Sequence, residues 1–175
     1  AEAALTLLAV PTGGFSAAVN GYTVDFSNLS SGDSYYWDFG DGQSSQVLNP
    51  QHTFGAEGTY TVRLYSITPC DTATTVQTVV ILLPPTAGFN FPFSSAGCGS
   101  VLVDFTNASS ANTTTFSWSF PGGTPAVSSQ PNPSVFYTTT GIYPVTLIAA
   151  NAAGQDTLQQ LVVVTVKPIP IADFA

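Results

Sequence analysis

The stretch YWDFGDG at residues 36–42 decides the fold of this chain. Its aromatic residues alternate with a polar one, so Trp37 and Phe39 share one face of a strand and Asp38 points to the other. The turn that follows contains Asp41-Gly42, a dipeptide that readily adopts positive φ angles. The stretch therefore predicts a strand with one buried face that ends in a tight turn.

The same pattern returns about 80 residues later, which indicates a duplicated domain. YWDFGDG corresponds to SWSFPGG at residues 117–123. Three further pairs of segments match in the same order. VDFSN at residue 24 matches VDFTN at residue 103, NP at 49 matches NP at 132, and GTYTV at 58 matches GIYPV at 141. We therefore expect two domains, at residues 11–84 and 85–168.

Both copies consist of short alternating runs separated by turn residues, and no window shows sustained helical spacing. This composition predicts an all-β fold with two tandem β-sandwiches. The strands expected in the first copy are 14–18, 23–28, 34–39, 44–47, 51–54, 59–67 and 75–83, and those in the second are 89–93, 101–107, 115–120, 127–129, 134–137, 142–150 and 157–166. The unbroken apolar run in the last strand of the first copy predicts burial on both of its faces.

The ends of the chain repeat parts of these domains. PTGGF at residues 11–15, PTAGF at 85–89 and PIADF at 170–174 are similar, and each follows an apolar strand. Residues 1–10 therefore resemble the last strand of a preceding repeat, and residues 169–175 the first strand of a following one. A window from a longer array explains both fragments. The alternative is that the end strands are exchanged between subunits by strand addition.

Composition excludes several classes of function. The chain has a formal net charge of −8, and Arg63 and Lys167 are its only basic residues. This charge argues against nucleic acid and anionic membranes as partners. No run of about twenty apolar residues is present, so we expect no membrane insertion. Charged residues make up only 7% of the chain, and a neutral, hydroxyl-rich surface favours an extracellular or cell-surface location.

The sequence contains no pattern typical of a catalytic site. His52 is the only histidine, and neither a nucleophile on a strained turn nor a pair of catalytic carboxylates is evident. We therefore expect a protein that is not an enzyme and needs no cofactor. Asp38 and Asp41, with Asp33 nearby, could offer oxygens to Ca²⁺. The alternative is that Asp41 accepts hydrogen bonds within its own turn, and the second copy lacks both acids.

WDFGDG, followed in order by NP, HTF and GTYTV, resembles the PKD (polycystic kidney disease) domain family. The second copy is similar to a variant known from tandem repeats of Bacteroidetes surface and secreted proteins, with FPGGTP in place of the acidic turn. The resemblance implies an immunoglobulin-like β-sandwich, with a buried Trp before the turn and a tyrosine corner. The residues expected to form the structural core are Trp37, Phe39 and Tyr60 in the first copy, and Trp118, Phe120 and Tyr143 in the second.

Two tripeptides, Asp71-Thr72-Ala73 and Asp156-Thr157-Leu158, resemble the acceptor motif of Bacteroidetes O-glycosylation. Both are expected in the turn before the last strand of their copy. Thr72 and Thr157 are therefore predicted glycosylation sites.

Two functional hypotheses follow. The first is a structural or adhesive module of a surface stalk, fibre or filament, whose partners are neighbouring repeats or identical subunits. The second is an accessory module that holds a secreted hydrolase to polysaccharide or protein. The second requires an exposed aromatic or polar platform, for which the candidates are Tyr22, Tyr35, Tyr65 and Phe91.

Overall fold

The computed structural model describes residues 10–92 and 95–169, and every regular element among them is a β-strand. The chain divides into two compact units, Ala1–Leu82 and Leu83–Ala175. The predicted all-β class is confirmed. Of the two end fragments, only Val10 and Ile169 are described, and neither belongs to a strand. None of the described residues lies in a helix long and apolar enough to cross a membrane.

Unit 1 is built from seven strands in two sheets. The strands are β1 (Phe15–Asn20), β2 (Thr23–Asn28), β3 (Ser34–Asp38), β4 (Ser44–Ser45), β5 (Gln51–Thr53), β6 (Gly58–Ile67) and β7 (Thr72–Ile81). One sheet has the order β1-β2-β5 and the other β4-β3-β6-β7. All strand pairs in unit 1 are antiparallel.

Aromatic side chains join the two sheets of unit 1. Phe15 and Phe26, from the first sheet, lie 5.2 and 5.3 Å from Trp37 between ring centroids. Phe26 also contacts Phe39, at 5.4 Å. Trp37 is fully buried, and Val62 and Leu64 of β6 lie in the same interior. The strand on which the sequence pattern centres therefore forms the middle of a hydrophobic core.

Unit 2 repeats this plan with ten strands. They are β8 (Phe89–Asn90), β9 (Ser95–Cys98), β10 (Val101–Asp104), β11 (Thr106–Asn107), β12 (Thr115–Ser119), β13 (Gly123–Thr124), β14 (Val127–Ser128), β15 (Ser134–Tyr137), β16 (Gly141–Asn151) and β17 (Gly154–Lys167). Its largest sheet has the order β14-β12-β16-β17-β9, and the smaller sheets are β10-β15-β13 and β11-β8. Trp118 packs against Phe89, Phe105 and Phe120 in the core.

The strands differ from the sequence predictions in several places. The last strand of unit 1 is not buried on both faces: Val79 and Ile81 are buried, but Val76 and Val80 are 53% and 55% exposed. Valines on the outward face concealed the alternation of this strand in the sequence. In unit 2, the predicted strand 89–93 ends at Asn90 as β8, and Phe93 lies outside the described residues. The unpredicted β9 then pairs in parallel with the end of β17.

Candidate functional site

The two tryptophans occupy the same place in the two units. The indole N–H of Trp37 donates to the carbonyl of Val47, at 3.0 Å, and that of Trp118 to the carbonyl of Gln130, at 2.8 Å. Both side chains are buried, as are Phe39 and Phe120. The indoles therefore fix the segment after the turn to the core and are not available for stacking on a ligand.

Each unit also contains a tyrosine corner. The hydroxyl of Tyr60 donates to the carbonyl of Ala56, at 2.9 Å, and that of Tyr143 to the carbonyl of Thr139, at 2.8 Å. Both tyrosines are half-buried. Burial of Tyr137, together with repulsion from Tyr143 when both phenols are ionised, raises the pKa of Tyr137 to about 12. The hydroxyls of Tyr60 and Tyr143 bind the loops that precede β6 and β16.

Asp38 and Asp41 in the turn of unit 1 bind protein groups. Asp38 accepts a hydrogen bond from the Gly40 amide, at 3.0 Å, and its other oxygen lies 3.5 Å from an Arg63 nitrogen. Asp41 accepts from the Gln43 amide, at 3.0 Å. Among residues 10–92 and 95–169, no group of three or more His, Cys, Asp or Glu side chains is placed to hold a metal ion. Calcium at Asp38 and Asp41 stays a prediction from sequence.

The second oxygen of Asp41 contacts His52, which the sequence did not indicate. His52 Nε2 lies 2.8 Å from Asp41 Oδ2, and both side chains are largely buried. The imidazole also stacks on Phe39, with ring centroids 4.0 Å apart and an interplanar angle of 3°. Burial by itself would raise the pKa of Asp41, but the hydrogen bonds from His52 and the Gln43 amide, together with attraction to His52, lower it.

The glycosylation motifs do not lie in turns. Thr72 is the first residue of β7, and Thr157 lies within β17. They are also not equivalent: Thr72 and Ile67 form the last pair of their hairpin, whereas Thr157 and Ile148 lie three pairs before the last pair of theirs. A turn was expected because both motifs are polar, yet a solvent-exposed strand face tolerates the same residues. Both threonines are exposed.

An open groove lies beside β3 in unit 1. It has a volume of about 540 Å³ and is lined by Asp33, Ser34, Tyr35 and Tyr36, by Gln46 and Leu48 after β4, and by Ile67 at the end of β6. β3 pairs with β6 along all five of its residues, but with β4 only at Trp37 and Asp38. In the part of the chain that the structure describes, no strand pairs with the β4 side of Ser34–Tyr36.

Tyr36 is an exposed aromatic residue of this groove that was not among the platform candidates from the sequence. It is 38% exposed, and its ring lies 6.0 Å from that of Tyr65, its direct cross-strand partner. The signal was present, because Tyr36 shares the strand face of Asp38 and not that of Trp37. We call Tyr36 and Tyr65, together with the groove, the tyrosine surface.

The four platform candidates from sequence are distributed differently. Tyr65 belongs to the tyrosine surface, and Tyr35 lines the groove while its hydroxyl donates to the carbonyl of Gly32. Tyr22 lies in the turn between β1 and β2, and Phe91 packs against the core of unit 2. Of the four candidates, Tyr65 therefore lies beside Tyr36 and Tyr35 lines the groove, whereas the other two lie elsewhere.

Unit 2 does not repeat the tyrosine surface. Trp118 pairs with Leu147 as Trp37 pairs with Leu64, so Ser117 and Ile148 stand where unit 1 has Tyr36 and Tyr65. Any property of this surface is therefore specific to unit 1.

Comparisons with known proteins agree with this architecture. A family model described as "PKD domain" matches residues 12–82, and another with the same description matches residues 89–164. Each match falls within one compact unit of the structure.

Two curated bacterial proteins are similar to parts of the chain. A microbial collagenase of Vibrio alginolyticus is 44% identical over 69 residues, which is 35% of this chain and 8% of that protein. Collagenase ColA of Bacillus cereus is 58% identical over 31 residues, which is 18% of this chain and 3% of that protein. The chain therefore matches only a small part of the length of these relatives.

Among solved structures, an I-band fragment of titin is similar to most of the chain. The TM-score is 0.54 at 15% identity, and the match covers 93% of this chain and 67% of the titin fragment. At this identity the match shows the fold alone, and it confirms the predicted immunoglobulin-like sandwiches.

Proposed function

Because this chain belongs to the PKD domain family and contains two such domains in tandem, we propose that it is a non-catalytic extracellular module that binds an extended polymer. In this role it holds the protein that contains it to a polymeric substrate. The observation that carries the proposal is the tyrosine surface of unit 1, where the exposed Tyr36 and the half-buried Tyr65 form an aromatic pair beside a groove. Tyrosine combines a flat apolar ring with a hydroxyl, which suits contact with a partly polar polymer.

The relatives support an accessory role. Both curated relatives are named collagenases, and the similarity covers only a small share of each. A substrate of the collagen type is therefore the first polymer to test. Aromatic grooves bind extended proline-rich chains because such chains lose little conformational entropy on binding.

Cosedimentation tests this function. The full chain is mixed with insoluble collagen, chitin or cellulose, and the bound fraction is measured against protein concentration. We expect saturable binding to at least one polymer, and weaker binding by the double variant Tyr36→Ser, Tyr65→Ile, which carries the residues of unit 2. The control is Ser117→Ala at the equivalent position of unit 2. If none of these polymers is bound, or if the double variant binds as well as the unchanged chain, the proposed role is wrong.

A structural or adhesive stalk is the second candidate, and the tandem arrangement favours it. The two PKD domains follow each other closely in sequence, with Pro84 and Pro85 between their matched regions. Proline restricts the backbone and limits the flexibility of a linker. Electron microscopy of assemblies from the native source distinguishes the roles: linear fibres support the stalk, and isolated particles contradict it.

O-glycosylation at Thr72 and Thr157 belongs to the same extracellular proposal. Both threonines are exposed. The backbone amide of each donates a hydrogen bond to the side chain of the preceding aspartate. The intact mass of protein from the native source, compared with that of Thr72→Ala and Thr157→Ala variants, tests the assignment. An unmodified mass contradicts it.

A further inference from the structure

We propose that the groove of unit 1 binds an extended polypeptide that adds a strand to the open side of β3 and places a basic residue near Asp33. This inference rests on the proposed function and names the class of polymer. It concerns the stretch from Asp33 to Tyr36, the side chains of Gln46 and Leu48, and the neighbouring Tyr65.

The backbone of β3 is the first reason for a polypeptide. Ser34–Tyr36 pairs with β6 on one side, and no described strand pairs with it on the other. On an open strand edge, alternate residues direct N–H and C=O groups outward, about 7 Å apart. An extended peptide has complementary groups at this spacing, whereas a polysaccharide does not. Binding of a strand to such an edge is a common mode of peptide recognition.

The shape of the site explains why the edge is open at this point. β4 is only two residues long, and the chain then turns away so that Val47 can accept the hydrogen bond from the Trp37 indole. Gln46 and Leu48 consequently line the groove opposite a strand that they do not pair with. Leu48 is 50% exposed, which leaves an apolar wall for the side chains of a bound peptide.

Charge determines the kind of peptide. Asp33 is exposed at the groove and has the only carboxylate among the residues that line it. No basic residue is among these lining residues, and the formal net charge of the chain is −8. A Lys or Arg in the peptide would complement this charge, whereas an acidic residue would be repelled. Unit 2 has Thr114 before its equivalent strand, where unit 1 has Asp33.

A peptide library tests the proposal with the full chain. The probes are nine-residue peptides, capped at both ends, that carry Lys, Glu or Ala at the centre and are randomised over Thr, Val, Pro and Ser elsewhere. We expect the Lys pools to bind and the Glu pools to bind at least about tenfold more weakly. In NMR spectra of the ¹⁵N-labelled chain, the shifted amides should include Ser34, Tyr35 and Tyr36.

N-methylation of alternate backbone amides in the best peptide is the decisive step. One of the two methylation patterns should weaken binding by about tenfold or more, because it removes the hydrogen bonds to β3. Tyr36→Ser and Asp33→Thr, which introduce the residues of unit 2, should weaken binding to a similar extent. Ser117→Ala and Thr114→Ala in unit 2 are matched controls and should leave it unchanged. Circular dichroism checks that every variant is folded.

The proposal is overturned if no pool saturates, if Glu and Lys pools bind equally, or if neither methylation pattern has an effect. These failures differ from failure of the proposed function. A chain that sediments with chitin or cellulose through its tyrosines but binds no peptide retains the polymer-binding role and loses the polypeptide assignment. A chain that binds neither loses both.

Discussion

At the scale of single residues, the contact between His52 and Asp41 gives the acidic turn a structural role. The sequence suggested either a calcium ligand or a carboxylate that binds its own turn. Asp41 does accept a hydrogen bond from the Gln43 amide, but its other oxygen contacts His52 on β5, in the opposite sheet. The carboxylate therefore connects the turn after β3 to the other half of the sandwich. Because residue 41 lies in a predicted turn and residue 52 in a separate predicted strand, no local pattern reveals their contact.

Asp41→Asn tests this connection. The pKa of Asp41 is lowered in the folded chain, so the carboxylate stabilises the fold above about pH 4 and this contribution is lost as the pH falls through the folded pKa. We expect Asp41→Asn to lower the free energy of unfolding by about 2 kcal/mol at neutral pH. The loss should shrink as the solution is acidified to about pH 2. Urea unfolding followed by the fluorescence of Trp37, in a Trp118→Phe background, measures it.

The control for this experiment is Asp33→Asn, which changes an exposed acid in the same unit. It should leave the free energy of unfolding within about 0.5 kcal/mol. An equal loss for Asp41→Asn at every pH would contradict the role of its ionised form.

The tyrosine corners support a second prediction at this scale. Tyr60→Phe and Tyr143→Phe each remove one hydrogen bond to a backbone carbonyl and retain the ring. Each substitution should lower the free energy of unfolding of its own unit by about 1 kcal/mol. Urea unfolding in backgrounds with a single tryptophan assigns the loss to a unit. Tyr22→Phe, in an exposed turn, is the control, and a loss of the same size there would argue against the corner.

At the scale of elements, Gly40 shapes the turn between β3 and β4. It has φ +80°, and a Cβ at this position would lie 2.6 Å from the carbonyl oxygen of Thr61. Gly40→Ala therefore combines an unfavourable left-handed conformation with a backbone clash, and should cost at least about 2 kcal/mol. Gly55→Ala, where a Cβ would meet nothing within 4 Å, is the matched control. Thermal unfolding measures both, and similar melting temperatures would contradict the prediction.

The strands themselves were largely predictable from the sequence. Residues 23–28 and 134–137 were predicted with the bounds that the structure has, because their apolar residues alternate and turn residues flank them. The exposed face of β7 was not predicted, because Val76 and Val80 are apolar residues that nevertheless lie on the exposed face. Here the β-propensity of valine outweighs the preference of an outer face for polar residues.

The site was less predictable than the strands. Tyr65 and Tyr35 could be named from composition, but the groove depends on the shortness of β4, and only the structure shows where strand pairing stops. β9 was missed for a related reason. Its sequence, SAGC, has few strand-forming residues, and it forms a strand because the edge of β17 is available to pair with it.

At the scale of the whole molecule, duplication has preserved the architecture while the two units have diverged in their polar contacts. The turn of unit 1 is held by Asp41 and His52, whereas unit 2 has Gly122 and Val135 at the corresponding places. A Cβ at Gly123 would collide with the side chain of Val135, so the second turn packs directly on the core. Unit 2 therefore has no counterpart of the contact between Asp41 and His52, and no counterpart of the tyrosine surface.

The parallel pairing of β9 with β17 has a mechanical consequence. β9 belongs to the incoming chain and β17 to the outgoing chain, and four pairs, from Val164 and Ser95 to Lys167 and Cys98, join them. Tension applied through the ends of unit 2 pulls these two strands in opposite directions along their length. Their hydrogen bonds must then break together, in shear, rather than one after another. In unit 1, β1 pairs with β2, and its described link to β7 is the hydrogen bond from the Gln77 side chain to the Phe15 carbonyl.

Unit 2 should consequently resist stretching to a higher force than unit 1. Single-molecule extension of the chain should give two unfolding events at different forces, and Ala96→Pro, which removes a backbone donor from β9, should lower the higher force only. Ala17→Pro in β1 offers a comparison in unit 1. If Ala96→Pro leaves both forces unchanged, the pairing of β9 with β17 does not determine how the domain yields under tension.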